Sequence, residues 1–168
     1  MSRVTLHAYK GRKQIKHKIV LAVGLLLAGS ALGLAQDMRP PINTDDVKWG
    51  PVPPNIPAGA QIAVISGDPG KEGLYVIRLK MPAGYKVPAH WHPLYENLTV
   101  LTGEFNVGMG DKLDTSKGMA LRPGGYVEAP AKMHHYGWIG NGEAIVQVTG
   151  PGPFGITYVD PADDPSKK

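Results

Sequence analysis

Short apolar runs alternate with Gly, Pro and Asp turns along the chain from Gln61 onward. This pattern is typical of an all-β sandwich or barrel, and no segment of the region keeps the 3.6-residue period of an amphipathic helix. Strands are predicted at residues 61–66, 74–81, 86–92, 96–101, 104–108, 119–122, 126–129, 135–139, 144–149 and 155–159. So many short strands over about a hundred residues suit a small closed or double-sheet architecture.

The first 35 residues differ in composition from the rest of the chain. They contain six basic residues and no acidic ones, and they end in an uncharged apolar run of 17 residues from Ile19 to Ala35. A basic segment followed by an apolar one is the layout of a secretory leader, and Gly33 and Ala35 are small residues that a leader peptidase accepts. We therefore expect cleavage after Ala35 and a periplasmic or secreted protein. The alternative is an uncleaved N-terminal membrane anchor, although 17 residues are at the short end of a spanning helix.

The basic character of the chain is confined to this leader. The full sequence has a net charge of +4 and a pI of about 9.2, but removing residues 1–35 leaves 12 basic and 14 acidic residues, a net charge of −2. A mildly acidic protein is not a polyanion binder by charge, so we expect no nucleic-acid partner. We also expect no stable membrane insertion after cleavage. The glycines fall in turns and not before a helix, which argues against a phosphate-cradling motif and nucleotide binding.

Proline dominates residues 36–59, a composition that favours extended backbone over helix. We interpret this segment as an extended arm, and we expect Trp49 to anchor it by packing against the barrel wall. A chain of 168 residues has the length of one domain. The barrel is accordingly assigned to residues 60–160, and residues 161–168 are predicted to be a flexible C-terminal tail.

Histidine is the residue type that points to chemistry in this chain. The sequence has no cysteine, so any metal must be held by histidine and carboxylate. Outside the leader the histidines form two short clusters, at residues 90–92 and 134–135. Alternate side chains on a strand share a face, so His90 and His92 can point at one centre. Pro93 ends this strand, and Glu96 opens the next one beside it.

The stretch from Gly84 to Gly103, GYKVPAHWHPLYENLTVLTG, resembles the first motif of the cupin superfamily, with every fixed position filled. A second cupin motif is recognisable from Gly124 to His135. It departs from the family pattern at two positions: Lys132 stands where a turn glycine is usual, and Ile139 stands where asparagine is common. In detail the chain is similar to exported single-domain cupins of the conserved-barrel type, the cupin 2 type.

The resemblance implies a jelly-roll β-barrel with a central cavity. It also implies that His90, His92, Glu96 and His135 hold one divalent first-row transition metal ion. The spacing from the proline of the second motif selects His135 over His134. Imidazole suits Fe, Ni, Cu and Zn, and a carboxylate helps to hold Mn or Fe, so the ligands do not fix the metal. Cupins commonly pair through their sheets, and the resemblance therefore implies a homodimer.

Several neighbours of the motifs are candidates for the pocket or for supporting the ligands. His134 precedes a ligand and faces the other way on a strand, so an exposed or supporting role is expected. Lys132 can reach an acidic substrate at the cavity mouth, although a solvated turn lysine is the commoner case. Aromatic residues pack protein cores more often than they line pockets. The aromatic candidates for the pocket are Tyr95, Phe105, Tyr136 and Trp138.

Four protein ligands on a six-coordinate metal leave two positions for water, oxygen or a substrate. We therefore favour a metal-dependent oxidoreductase of dioxygenase-like or Lewis-acid chemistry that acts on an oxygen-rich small molecule. The alternative is a non-catalytic module that binds a small molecule or metal in the periplasm, which the lack of a persuasive acid-base partner supports. A third hypothesis is that the barrel acts as a protein-protein adaptor, because the fold alone does not determine the function. The sequence assigns no catalytic residue.

Overall fold

Two antiparallel sheets form the body of residues 40–168, which are the residues that the computed structural model describes. The strands are β1 (Gly50–Pro51), β2 (Gln61–Ser66), β3 (Gly73–Met81), β4 (Lys86–Trp91), β5 (Glu96–Thr102), β6 (Phe105–Met109), β7 (Met119–Leu121), β8 (Tyr126–Ala129), β9 (His135–Ile139), β10 (Ala144–Gly152) and β11 (Thr157–Tyr158). The predicted leader and its cleavage after Ala35 lie outside the described residues. Within those residues, no helix is long and apolar enough to cross a membrane.

The six-stranded sheet has the order β1-β2-β3-β10-β5-β8, and the five-stranded sheet has the order β11-β4-β9-β6-β7. Consecutive strands β4 and β5 belong to different sheets, so the chain crosses between the sheets at residues 92–95. This arrangement confirms the predicted all-β cupin jelly roll. It also places the two halves of the first histidine motif on opposite walls of the barrel.

Every predicted strand is present, with shifts at the ends. Strand β10 runs to Gly152, three residues beyond its predicted end, because its pairing with β3 continues through Pro151 and Leu74 to Gly152 and Gly73. Pairing and burial outweigh the low strand propensity of glycine and proline at this end. The last predicted strand is shorter than expected and consists of Thr157 and Tyr158. Strand β1, within the proline-rich arm, was not predicted.

The core lies between the sheets and is built from alternate residues of each strand. Ile77 on β3, Val100 on β5 and Val146 on β10 are at most 1% exposed. Complete burial of such a side chain stabilises the fold by about 1.5–3 kcal/mol relative to exposure. The apolar positions that produced the two-residue period are therefore the positions that fill the barrel.

The described part of the arm, residues 40–59, lies against the barrel. Its first turn is a short 3-10 helix, Thr44–Asp46, and β1 then pairs with β2 through Gly50 and Ile62. The Lys80 ammonium lies 4.5 Å from the centre of the Trp49 ring, a cation-π contact between the arm and β3. At the other end of the chain, residues 161–168 contain two 3-10 helices, Pro161–Asp163 and Pro165–Lys167.

Lys132 occupies a left-handed turn in the second motif. Its φ of 64° makes it the sole non-glycine residue with positive φ among residues 40–168. The sequence departure at this position thus retains a glycine-like backbone, at a cost of about 1–2 kcal/mol for an L-residue. The turn is held because the Lys132 amide donates a hydrogen bond of 2.8 Å to the His92 carbonyl oxygen.

Candidate metal centre

Three buried histidines converge on one wall of the barrel. His90 on β4 and His135 on β9 are direct cross-strand partners, and His92 follows β4 by one residue. Each of the three is 6% exposed. One ring nitrogen from each comes within 4.8 Å of the other two, close to the spacing of about 4 Å that a single ion with bonds near 2 Å can span.

Glu96 approaches this cluster from the opposite sheet. It is the first residue of β5, and its Oε2 atom lies 3.5 Å from Nε2 of His92 and 3.7 Å from Nε2 of His135. The Glu96 side chain is 12% exposed. The prediction that Glu96 opens a strand beside the His90–His92 strand was wrong, because β5 pairs with β10 and β8 in the other sheet. The crossing at residues 92–95 nevertheless brings the carboxylate next to the histidines.

Backbone carbonyl groups fix the proton of every histidine in the cluster. The Nδ1 atom of His90 donates to the Pro88 oxygen at 2.7 Å, and that of His135 donates to the Met133 oxygen at 2.9 Å. The Nδ1 atom of His92 donates to the Gly155 oxygen at 2.6 Å. A carbonyl oxygen can only accept, so each Nδ1 carries the proton and each Nε2 of a neutral ring presents a lone pair.

The charges of the cluster are strongly coupled. Burial, together with the neighbouring His135 and His92, lowers the pKa of His90 to about 3. Burial would raise the pKa of Glu96, but His92 and His135 outweigh this effect and hold it below its ordinary value. Burial would lower the pKa of His92, yet Glu96 and the Gly155 hydrogen bond raise it. The site therefore stabilises an ionised carboxylate next to an uncharged His90.

The residues present fit a transition metal. The Nε2 atoms of His92 and His135 are buried and have no hydrogen-bond partner among the described residues, because 3.5 and 3.7 Å to Glu96 are too long for a good hydrogen bond. An unsatisfied buried polar atom costs about 1–3 kcal/mol. Coordination of a cation by these lone pairs and by the adjacent carboxylate would remove that cost, and nitrogen with oxygen is a ligand mixture that suits divalent first-row metals.

The cluster forms one pole of a central cavity of about 60 Å³. The other walls are almost wholly apolar, and within the described part of the chain the one additional polar side chain is Tyr85, whose hydroxyl donates to the Pro57 carbonyl oxygen. Apolar side chains from both sheets line the remainder, among them Leu79, Met81, Val87, Leu98, Phe105, Val107, Met109, Val127, Ala129, Val146 and Val148. The cavity thus has a single polar end and a hydrocarbon body.

The other residues singled out from sequence are scattered. Phe105 lines the cavity, while Lys132 is exposed at its turn and does not line it. Tyr136 and Trp138 stack on each other on the outer side of β9, with ring centres 6.0 Å apart. His134 donates from Nδ1 to an Asp111 oxygen at 2.6 Å on the surface. Tyr95 is 47% exposed.

Sequence reasoning missed several residues of the cavity. Counting by twos from His135 places Gly137 and Ile139 inside and Tyr136 and Trp138 outside, so the strand period already carried that signal. The same count from Phe105 reaches Met109, which lines the cavity and is the neighbour of His135 on the adjacent strand β6. Ile56, by contrast, lies in a proline-rich segment without a period, and no sequence signal assigned it to the cavity.

Two sheets, a central cavity and a histidine-glutamate cluster at one pole define this chain as a cupin. The profile of the ChrR cupin-like domain matches residues 38–154, which is more than half of the chain. The chain therefore belongs to the ChrR cupin-like family. No curated protein matches the sequence.

Solved structures share the fold at low sequence identity. The polyketide cyclase RemF from Streptomyces resistomycificus has 18% identity and a TM-score of 0.62, over 77% of this chain and 92% of that chain. A putative acetylacetone dioxygenase from Methylibium petroleiphilum has 20% identity and a TM-score of 0.57, over 76% and 85%. The DMSP lyase DddQ from Ruegeria pomeroyi has 21% identity and a TM-score of 0.53, over 67% of this chain and 60% of that chain. At these identities the likeness concerns the fold alone.

Proposed function

We propose that the barrel holds one divalent first-row transition metal ion (Mn, Fe, Ni, Cu or Zn) through His90, His92, Glu96 and His135. The observation that carries this proposal is the orientation of the three imidazoles. Each Nδ1 is committed to a backbone carbonyl, so each Nε2 offers its lone pair to the same small space. Second hydrogen bonds of this kind orient metal-binding histidines in proteins and raise their basicity.

The ligand set also determines the charge of the site. Three neutral imidazoles and one carboxylate supply a single negative charge, so a bound dication leaves a net positive charge at the polar end of the cavity. Such a centre attracts an anionic or strongly polarised oxygen. When bound, the ion would supply Lewis-acid polarisation of such an oxygen or, for a redox-active metal, one-electron chemistry with dioxygen.

The size and the apolar character of the cavity walls limit which molecules can bind next to the metal site. A cavity of about 60 Å³ holds a few water molecules or a small organic molecule. Hydroxyl groups spread along a sugar would find no partners on the apolar walls, and each unpaired buried group costs about 1–3 kcal/mol. The walls therefore favour a small molecule that carries its oxygens at one end and an apolar body behind them.

We favour an enzyme with dioxygenase-like or Lewis-acid chemistry on such a molecule. The apolar walls exclude water, which strengthens every electrostatic interaction at the metal end. The cupin fold hosts enzymes, since neighbours of the same fold include a polyketide cyclase, a DMSP lyase and a putative acetylacetone dioxygenase. Glu96 would contribute charge and coordination, while the three histidines would fix the position of the ion.

A non-catalytic metal-binding or small-molecule-binding module is the second candidate, and one observation favours it. Among residues 40–168, the cavity offers no group for proton transfer beyond the four proposed ligands except the Tyr85 hydroxyl, which donates to Pro57. Burial raises the pKa of Tyr85 to about 12, far from the range in which a general acid or base works best. Such a site binds without an obvious means of turning over substrates that need proton transfer.

Metal analysis of the purified protein tests the site. We expect about one ion per chain in the wild type and a large loss in His92→Ala and in Glu96→Ala, because each substitution removes one ligand. His134→Ala is the matched control, since this histidine lies next to His135 but bonds Asp111 on the surface. Wild-type protein that takes up none of the five metals, or unchanged content in both ligand variants, would refute the proposal.

Turnover separates the two candidate functions. The metal-loaded protein should consume oxygen or form product with at least one small probe that carries its oxygens at one end, such as acetylacetone or catechol. Oxalate and glucose serve as comparison compounds without an apolar body. If a probe binds tightly but is not turned over with each of the five metals in turn, the result would favour the binding module over the enzyme.

We further propose that the protein acts outside the cytoplasm, as its basic and apolar leader supports. Expression of the full chain followed by cell fractionation tests this. The expected result is periplasmic or secreted protein whose N-terminus is Gln36. Full-length protein in the membrane fraction would support the anchor instead, and full-length protein in the cytosol would contradict both.

A further inference from the structure

The arm segment from Pro53 to Ala60 contributes to the cavity wall. Ile56 and Ala60 are each 6% exposed and line the cavity together with residues of the two sheets. The Ile56 amide donates a hydrogen bond of 3.0 Å to the Pro53 carbonyl oxygen, which forms a tight turn around this side chain. An isoleucine from outside the barrel is thus buried in the cavity that the proposed metal site shares.

Two tyrosines hold this turn, one on each side of Ile56. The Tyr158 hydroxyl donates to the Asn55 carbonyl oxygen at 3.0 Å, and the Tyr85 hydroxyl donates to the Pro57 carbonyl oxygen. Tyr158 lies on β11 and is the cross-strand partner of His90, and their ring centres are 6.1 Å apart. The position of Ile56 is therefore tied to the element that carries a proposed metal ligand.

The arm differs from the strand walls in how its backbone is held. An interior strand of either sheet is fixed on both sides by ladder hydrogen bonds. The turn at Ile56 is held by its own hydrogen bond and by two tyrosine hydroxyls. A change in the size of Ile56 can therefore change the room in the cavity without disrupting the barrel. In a cavity of about 60 Å³, the loss of one branched side chain is a large fractional gain in space.

We propose that Ile56 limits the size of the molecule that enters the cavity, so that the arm is its size-selective element. The inference rests on the proposed function to the extent that the oxygens of the ligand face the histidine cluster. The apolar body of the ligand then lies along the walls and packs against Ile56, one of the side chains that line them. The ligand class that this cavity would accept is a short hydrocarbon chain with an oxygen-containing head group.

Straight-chain primary alcohols test the size limit without a metal. Their hydroxyl can donate to a free imidazole Nε2, and each added methylene strengthens burial by about fourfold until the chain meets the wall. Dissociation constants of the metal-free protein for ethanol through 1-octanol, measured by NMR titration, should show an optimum length. We expect Ile56→Ala to move this optimum to a longer alcohol and Ile56→Phe to move it to a shorter one.

The matched control is Ile42→Ala, which truncates an exposed isoleucine of the same arm. It should leave the optimum unchanged. Circular dichroism establishes whether each variant is folded, and Ile56→Val provides a milder truncation with a smaller shift in the same direction if Ile56→Ala unfolds. An optimum that is the same in the folded Ile56 variants as in the wild type would overturn the inference.

A second experiment connects the size limit to the metal. Protein loaded with Co(II) is titrated with acetohydroxamate and octanohydroxamate, which share a chelating head and differ in tail length, and the visible spectrum of cobalt reports their binding. Ile56→Ala should reduce the preference for the short compound by about tenfold. Absence of cobalt binding would refute the metal site alone, because the alcohol titrations use metal-free protein and test the role of Ile56 independently. Cobalt binding with an unchanged preference would refute the size limit alone.

Discussion

The Nδ1 atom of His92 donates a hydrogen bond of 2.6 Å to the carbonyl oxygen of Gly155, a residue 63 positions further along the chain. This bond joins the end of β4 to the loop that follows β10, and it determines which His92 nitrogen faces the cavity. His90 and His135 obtain the same constraint from carbonyls two residues before them. Of the three histidines, His92 is therefore the one whose orientation depends on a residue that is distant in sequence.

Disturbing this loop should weaken metal binding. A Cβ atom at Gly155 would lie 3.1 Å from Cγ of Pro93, so Gly155→Ala forces a small displacement next to the His92 bond. We expect metal affinity, measured by competition with a chelator, to fall about tenfold, the lower end of the usual effect of changing a group that supports a ligand. Gly140→Ala, which adds a methyl group in open space, is the control and should have no effect. Equal affinity in both variants would show that the Gly155 bond does not orient His92.

Lys132→Gly should stabilise the protein. The substitution relieves the left-handed strain at a φ of 64° and retains the backbone hydrogen bond to the His92 carbonyl. We expect a gain of about 1 kcal/mol and a Tm higher by about 2–4 °C in thermal unfolding. Ala131→Gly, at the preceding position with an ordinary φ, should lower the Tm instead. A lower Tm for Lys132→Gly would mean that the lysine side chain contributes more than the strain costs.

Chelation should lower thermal stability through the proposed ligands. A metal that binds the folded chain at a concentration of about a hundred times its Kd adds about 2.7 kcal/mol, and a strong chelator removes this contribution. We expect the Tm of the metal-loaded wild type and of His134→Ala to fall by several degrees on chelation. His135→Ala should respond little, because one ligand is already lost. A full chelator response in His135→Ala would exclude this histidine from the ligand set.

Tyr85 should make stability fall at alkaline pH. Burial raises its pKa from an ordinary value of 10 to about 12 in the folded protein. Between these values the unfolded chain releases the phenolic proton that the folded chain retains, so the contribution is complete below pH 10 and is lost as the pH approaches 12. The loss amounts to up to about 3 kcal/mol. Denaturant unfolding across this range should have a steeper pH dependence in the wild type than in Tyr85→Phe.

Tyr95→Phe is the control for this measurement, because Tyr95 is 47% exposed. Its pH dependence should match that of the wild type. The Tyr85→Phe variant also loses the hydrogen bond to Pro57, which lowers stability by about 1 kcal/mol at any pH at which Tyr85 of the wild type is protonated. The comparison therefore concerns the slope with pH and not the absolute value. Equal slopes of the unfolding free energy against pH in the wild type and Tyr85→Phe would mean that ionisation of Tyr85 does not destabilise the folded protein.

The sequence by itself determined the strands from β2 onward and the placement of His90 and His92 on one face. Alternation of apolar and polar residues specifies a strand and its inward face, because successive side chains point to opposite sides. That rule places His90 and His92 together, and applied from His135 it also places Tyr136 outside. The cupin motifs added the fold and the proposed partners Glu96 and His135. These features are local or follow a fixed period, so they can be read without coordinates.

Only the tertiary structure decided what surrounds the cluster. The approach of Glu96 from the opposite sheet, the Gly155 carbonyl behind His92 and the burial of Ile56 all depend on contacts between residues far apart in sequence. Proline-rich backbone has no side-chain period, so nothing in residues 53–60 marks one side chain as buried. The shape and polarity of the cavity arise from how the arm and both sheets pack, and packing is a property of the folded chain.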